Sequence, residues 1–359
     1  MRNELLQDIT KWKVLLVDEA GFLSTKQMQW LVDFASKNGC RIILSGDTKQ
    51  HHGVERGDSV RVLESLGALK PTVLSKIFRQ KVAALREAIG ELAKGKTESG
   101  FDRLDKYGAI VEIEDQAERL QAICQKYLEA TKDKKTSLIV APTHGECRQI
   151  ATAVRQALKK EGVISTAEQS VTRLERLNLT AAQRQDAVNY EPGNVIEFHA
   201  RAVGGFKSGE QWQVAGRGGN AELVLERNRQ QRFFSLSQPG RFSVFEAESI
   251  RLSVGDRVRI TKNFTSQGKR LCNNTLHTVT AIEEGKLMLG EAEIVLGTRG
   301  LHIDQGVVVT SHAAQAQTVD EVIVSVPVES FGQANEAQFY VSMSGGAKPC
   351  TFSLIQRLR

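Results

Sequence analysis

The chain has 359 residues, 41% hydrophobic and 25% charged, the balance of a folded globular protein long enough to divide into domains. Its net charge of +6 suits a polyanionic partner. The cysteines Cys40, Cys124, Cys147, Cys272 and Cys350 show no CxxC or ligand-like spacing, and no signal peptide or long apolar span occurs, which excludes a disulfide framework, a zinc site and a membrane-spanning protein and reads as a reduced, cytoplasmic one.

The first informative stretch is Lys13 to Gly21, KVLLVDEAG. Val14 to Val17 reads as a short strand buried on both faces, and Asp18 and Glu19 follow where it ends. Ligands of open α/β sheets bind at the carboxyl ends of strands, and a carboxylate pair there suits Mg²⁺ on Asp18 and a water oriented by Glu19. The alternative is an Asp that caps the next helix, with Glu19 in its first turn. A second apolar run, Arg41 to Leu44, leads into Ser45-Gly46-Asp47-Thr48-Lys49-Gln50, where the Gln50 amide can sense a terminal phosphate. Leu74 to Gln80 then offers Arg79 as a charge-stabilising arginine.

VDEAG, SGDTKQ and IFRQ, in this order and spacing, resemble motifs II, III and IV of superfamily 1 helicases. The run from His51 to Asp58 resembles the RecD-like branch, and the similarity is to the helicase region of conjugative relaxase-helicases of the TraI/TrwC type. The resemblance implies an α/β fold of RecA-like, P-loop NTPase-type parallel sheets. It divides the chain into the C-terminal part of domain 1A (1–70), domain 2A (71–189 and 303–359) and an inserted SH3-like β-barrel, 2B (190–302). ATP and Mg²⁺ are the implied cofactors, and single-stranded DNA the implied partner of a 5′→3′ translocase. Asp18 would hold Mg²⁺, Glu19 act as base, Gln50 as sensor and Arg79 as arginine finger, with Asp47 and Gln317 in nucleotide binding.

In such a protein a phosphate-binding loop precedes the acidic pair. The residues before Val14 are too few for a strand, a Gly-rich loop and a helix, so the loop and the relaxase are expected on an upstream chain or domain. Gly90-Glu91-Leu92-Ala93-Lys94-Gly95-Lys96-Thr97 matches G-x-x-x-x-G-K-[ST] literally. Val82, Leu85, Ile89 and Leu92 recur at helical spacing before it, so the match ends a helix, whereas a phosphate loop opens one. It reads as a decoy.

Thr136 to Pro142 is another apolar strand, with Thr143 and His144 at its end. The resemblance puts a single-stranded DNA contact there, while His144 also fits a capping or turn role. Ile150, Val154 and Leu158 mark one face of the following helix. From Pro192 to about Gly300 the pattern shifts to short strands and Gly-rich turns. Arg257, Arg259, Lys262, Lys269 and Arg270 either line a groove for a DNA backbone or form a solvated rim.

Gly306 to Thr310 is a further strand, and Ser311 to Asp320 resembles motif V, with Thr310, Ser311 and His312 as implied nucleic-acid contacts. Ala316 stands where most members have glycine. Phe339 to Ser344 leads into motif VI, where the family has an arginine and this chain has Gly345. The last residues, Pro349 to Arg359, depart from the family, as a single-base shift in the coding DNA would produce. The seven histidines form no H-x-H constellation and the four tyrosines are dispersed, so DNA nicking is not expected of this chain.

Overall fold

Residues Val14–Val17 form β1 and Arg41–Leu44 form β2, paired in parallel from Val14 opposite Arg41 to Val17 opposite Leu44. They are joined by α1, Thr25–Asn38. Ser24 starts α1 with a capping box: its Oγ accepts from Gln27 N–H at 3.3 Å, and Gln27 Oε1 accepts from Ser24 N–H at 2.9 Å. Gly39 closes it in the left-handed region at φ 62°. Met28, Leu31 and Ala35 of α1 are buried, whereas Val14, Leu16 and Ile43 on one face of the strand pair stay exposed.

The computed structural model describes residues 13–48, 57–74, 80, 82–219, 221–297, 299–315, 317–327, 336–344 and 353–355. Gln50, Arg79, Ala316 and Gly345 lie outside the described residues. Contacts divide the chain into two compact units, Met1–Val154 with Val308–Arg359, and Arg155–Val307.

In the first unit, α2 is Ser59–Ser65, α3 Ala83–Ala93, α4 Thr97–Lys106 and α5 Gln116–Lys132. β3 is Ile110–Glu112, β4 Ser137–Ala141, and α6 starts at His144 and runs to Lys160. The returning segment supplies β18 (Val308–Thr310), α7 (Ser311–Ala314), β19 (Glu321–Val326), α8 (Glu336–Ser344) and β20 (Ser353–Ile355). The sheet order is β18-β4-β19-β20-β3, with every pair parallel. All five residues of β4 are buried, as expected of a strand covered on both faces. The core joins Leu85, Ile89 and Leu92 of α3 to Leu104, Leu138, Val322 and Met343.

The second unit is antiparallel β-structure. Gln169–Leu177 is β5, Val195–Phe198 β6, Gln211–Gly219 β7, Glu222–Arg227 β8, Gln230–Ser235 β9 and Phe242–Leu252 β10. These make a six-stranded sheet in the order β5-β10-β6-β7-β8-β9. A second sheet, β16-β15-β14-β11-β17, is built from β11 (Arg257–Ile260), β14 (Leu276–Glu283), β15 (Lys286–Leu289), β16 (Ala292–Val295) and β17 (Ile303–Gln305). The hairpin β12 (Phe264–Ser266) and β13 (Lys269–Leu271) pairs with itself. Phe198, Phe206, Phe234 and Phe242 fill the larger core, with edge-on contacts of 5.1 Å from Phe234 to both Phe198 and Phe206.

Ion pairs bolt the two sheets together. Arg173 of β5 reaches Glu248, Glu175 and Asp304. Arg155 of α6, also in this unit, forks onto Asp256 through Nε at 2.9 Å and Nη2 at 2.8 Å.

Candidate functional site

The acidic pair sits in the turn after β1. Asp18 is exposed, and its Oδ1 accepts the Glu19 N–H at 3.0 Å. Glu19 is left-handed, φ 52° and ψ 42°, a conformation costing a non-glycine residue on the order of 1 kcal/mol. The turn holds it there: Ala20 N–H donates to Ser45 O at 2.8 Å, and Phe22 N–H to Glu19 O at 3.0 Å. Gly46 allows this approach, because a Cβ at that position would stand 3.1 Å from Ala20 N. The ends of β1 and β2 thus lie against each other, bringing Asp18, Glu19 and Asp47 into one locality.

Two side chains from the returning segment complete it. Gln315 donates from Nε2 to Glu19 Oε2 at 3.2 Å, and the Tyr340 hydroxyl donates to Asp47 Oδ2 at 2.9 Å. Gln80, only 3% exposed, donates to Ser344 O at 3.0 Å. Sequence reasoning missed Gln315 and Tyr340 as site residues, although both lie in the runs read as motifs V and VI. Gln317, the expected nucleotide contact, is half-buried and its N–H donates to Ala314 O at 3.0 Å.

The expected nucleic-acid residues fall in three places. Thr143 caps α6, its Oγ1 accepting from Glu146 N–H at 3.2 Å, and His144 is the first, exposed residue of that helix. Thr310 precedes the single turn α7, on which Ser311 is buried and His312 exposed. Arg259 and Lys262 belong to the second unit and are ion-paired there, Arg259 to Asp304 at 3.3 Å and Lys262 to Glu197.

Glu197 is itself the most perturbed carboxylate of that unit. Burial opposes its ionisation, but hydrogen bonds from His302 at 2.6 Å, from Lys262 and from Gln211 outweigh burial and hold its pKa at about 2.

Asp18 fits a hard cation that keeps water and phosphate oxygens as its other ligands, since one exposed carboxylate at a strand end is the usual protein share. No phosphate cradle is formed by Gly90 to Thr97. Gly90 lies within α3, Gly95 takes the left-handed stop at φ 76°, and α4 begins at Thr97. Gly95 N–H donates to Leu92 O at 2.9 Å, so this amide closes the helix end instead of facing an anion. The decoy reading of the sequence motif agrees with this geometry. Among the described residues no helix is long and apolar enough to cross a membrane.

An acidic pair at the carboxyl end of a parallel β-α-β unit, met by Gln315 and Tyr340 from the returning segment, belongs to a mixed α/β protein with parallel sheets. Residues 3–115 match a family described as an AAA domain. The chain is 30% identical over 166 residues to the conjugal transfer protein TraA of Rhizobium radiobacter, covering 45% of this chain and 14% of that protein. It is 22% identical over 352 residues to the multifunctional conjugation protein TraI of Escherichia coli, covering 84% of this chain and 19% of that one. The chain thus spans a minor part of the relatives it matches. Among solved structures, Pif1 helicase from Candida albicans aligns over 99% of this chain and 75% of its own, at 12% identity and a TM-score of 0.44. Pif1 helicase from Bacteroides, in complex with ADP-AlF3 and single-stranded DNA, aligns over 100% and 74% at 13% identity and a TM-score of 0.41. The chain is thus similar to conjugal transfer proteins over part of their length, with an AAA-domain match over residues 3–115.

Proposed function

We propose that this chain is the motor portion of an ATP-dependent 5′→3′ DNA helicase of conjugative transfer, moving on single-stranded DNA. The observation that carries the reading is the convergence of Asp18, Glu19 and Asp47 at the ends of two parallel strands, with Gln315 and Tyr340 reaching them from the segments read as motifs V and VI. Asp18 would hold Mg²⁺, which neutralises phosphate charge when bound. Glu19 would orient and deprotonate the attacking water, and Asp47 would help fix the nucleotide. Gln50 and Arg79 are assigned as sensor and arginine finger on the motif pattern alone. Thr143, His144, Thr310, Ser311 and His312 would track single-stranded DNA, and the five-stranded sheet of the second unit would be the SH3-like 2B insertion. Arg259 and Lys262 would contact DNA only by exchanging their present carboxylate partners for phosphates, which makes their contribution strongly salt-dependent.

In this reading Gly90 to Thr97 supplies no phosphate loop, and turnover depends on one provided by another segment. A second reading is a non-catalytic remnant that holds single-stranded DNA. It is favoured by the helical setting of Gly90 to Thr97 and by Gly345 at the arginine position of motif VI; loss of such an arginine costs on the order of 10³ in turnover. ATP hydrolysis decides between them, measured with and without single-stranded DNA, on the chain alone and co-expressed with the upstream segment of a TraI relative. DNA-stimulated turnover that needs the upstream segment and disappears in Glu19→Gln supports the motor reading. Salt-sensitive DNA binding without turnover in either preparation supports the remnant.

A further inference from the structure

We infer that Gln315 is the positioning residue of the Glu19 carboxylate; this rests on the reading of Glu19 as the general base. The contact joins residues 296 positions apart, Gln315 Nε2 to Glu19 Oε2 at 3.2 Å. A carboxylate only accepts hydrogen bonds, so the amide must present its nitrogen, which fixes the orientation of Gln315 by chemistry. The side chain has little room to leave: Gln315 is 7% exposed, between Ala314 at 5% and the Ser311 side of the same turn at 2%. Its own N–H donates to Ser311 O at 3.2 Å, tying it to α7.

The chemistry suits a base. Glu19 has a left-handed backbone, which directs its side chain away from the path of β1, and such a conformation persists only where its surroundings over-determine it. A neutral amide donor orients the carboxylate without cancelling its charge, whereas a cation would hold it more tightly against proton uptake. Gln315 meets the Glu19 carboxylate directly, so its role is exerted through Glu19. The turn that carries it also carries His312, exposed on the other side, so a displacement of α7 moves the donor relative to the base.

The test combines a readout without catalysis and one with it. In urea unfolding of the full chain, the cycle of Glu19→Gln and Gln315→Met is expected to show coupling of about tenfold in the folding equilibrium constant, the scale of a hydrogen bond to a charged group. With the upstream segment of a TraI relative supplied, Gln315→Met and the isosteric Gln315→Glu should lower kcat about tenfold or more at unchanged KM, and Gln315→His, which keeps a neutral N–H donor, should lose less. Coupling with unchanged kcat overturns the inference and leaves a packing contact. Absence of coupling overturns it as well. A wild-type preparation without turnover removes the reading of Glu19 as base and the inference with it, and is told apart from the other failures by the wild-type control alone.

Discussion

Replacing Glu197 by Gln removes a buried charge at the seam between the two sheets of the second unit. Glu197 lies on β6, whereas Lys262 follows β11 and His302 precedes β17. The Phe245 ring lies 5.0 Å from the His302 ring and 5.6 Å from Lys262 Nζ, packed beside both partners of the carboxylate, and Glu197 is 8% exposed. Its pKa drops from an ordinary 4.5 to about 2, burial being overcome by His302, Lys262 and Gln211. With about 1.36 kcal/mol per pKa unit, ionised Glu197 contributes on the order of 3 kcal/mol. For a carboxyl whose pKa is lowered by folding, that contribution is fully present above the unfolded value and is lost as pH falls through the folded one. Urea unfolding of wild type and Glu197→Gln should therefore differ by about 3 kcal/mol at pH 7 and converge between pH 5 and about pH 2. A difference that stays constant across this range refutes the argument that the ion pairs, and not the shape of the side chain, hold the seam.

Arg155→Met leaves Asp256, 3% exposed, without its forked guanidinium and should destabilise the second unit by about 3–5 kcal/mol, read as a lower urea midpoint; an unchanged midpoint would show the fork is not needed. Tyr340→Phe removes one hydrogen bond to Asp47 at a part-buried site and should cost about 1 kcal/mol in the first unit, measured by thermal melting; no shift would sink that contact. Lys96→Ala should leave nucleotide affinity unchanged, because Lys96 is an exposed residue at a helix end that pairs with Glu91 at 3.7 Å; loss of nucleotide binding, measured by fluorescence titration, would revive Gly90 to Thr97 as a phosphate loop.

Among the parallel strands β4 was fully legible, and the reason is its environment; β1, expected to be buried on both faces, instead leaves Val14 and Leu16 exposed. Strands covered on both faces need apolar residues at consecutive positions, so Leu138 to Ala141 stands out from any helix period. β5 was not foreseen. Its apolar residues Val171, Leu174 and Leu177 fall three apart, which imitates a helix, and the inward slot between the first two is taken by Arg173. An arginine is tolerated at 6% exposure only because Glu248, Glu175 and Asp304 surround it, and those partners come from strands that the local pattern does not reveal. The pattern after Pro192 pointed to short strands, yet β10 runs from Phe242 to Leu252, since its polar residues pair along β5 as far as Gln169.

The site was legible in its residue types and not in its partners. Asp18 and Glu19 stood out as an acidic pair after an apolar run, and they lie where β1 ends, ahead of the α1 cap at Ser24. Choosing between Gln315 and Gln317 could not be done by pattern, since both follow the same histidine and both are amides. Geometry separates them: α7 is a single turn, Ser311 and Gln315 lie four residues apart on its buried side, and only that side faces Glu19. The same limit governs the basic residues. Arg259 and Lys262 read as free cations along the chain, but Asp304 and Glu197 face them in space, so positive charge in a strand repeat is evidence of a DNA track only after its carboxylate partners have been counted.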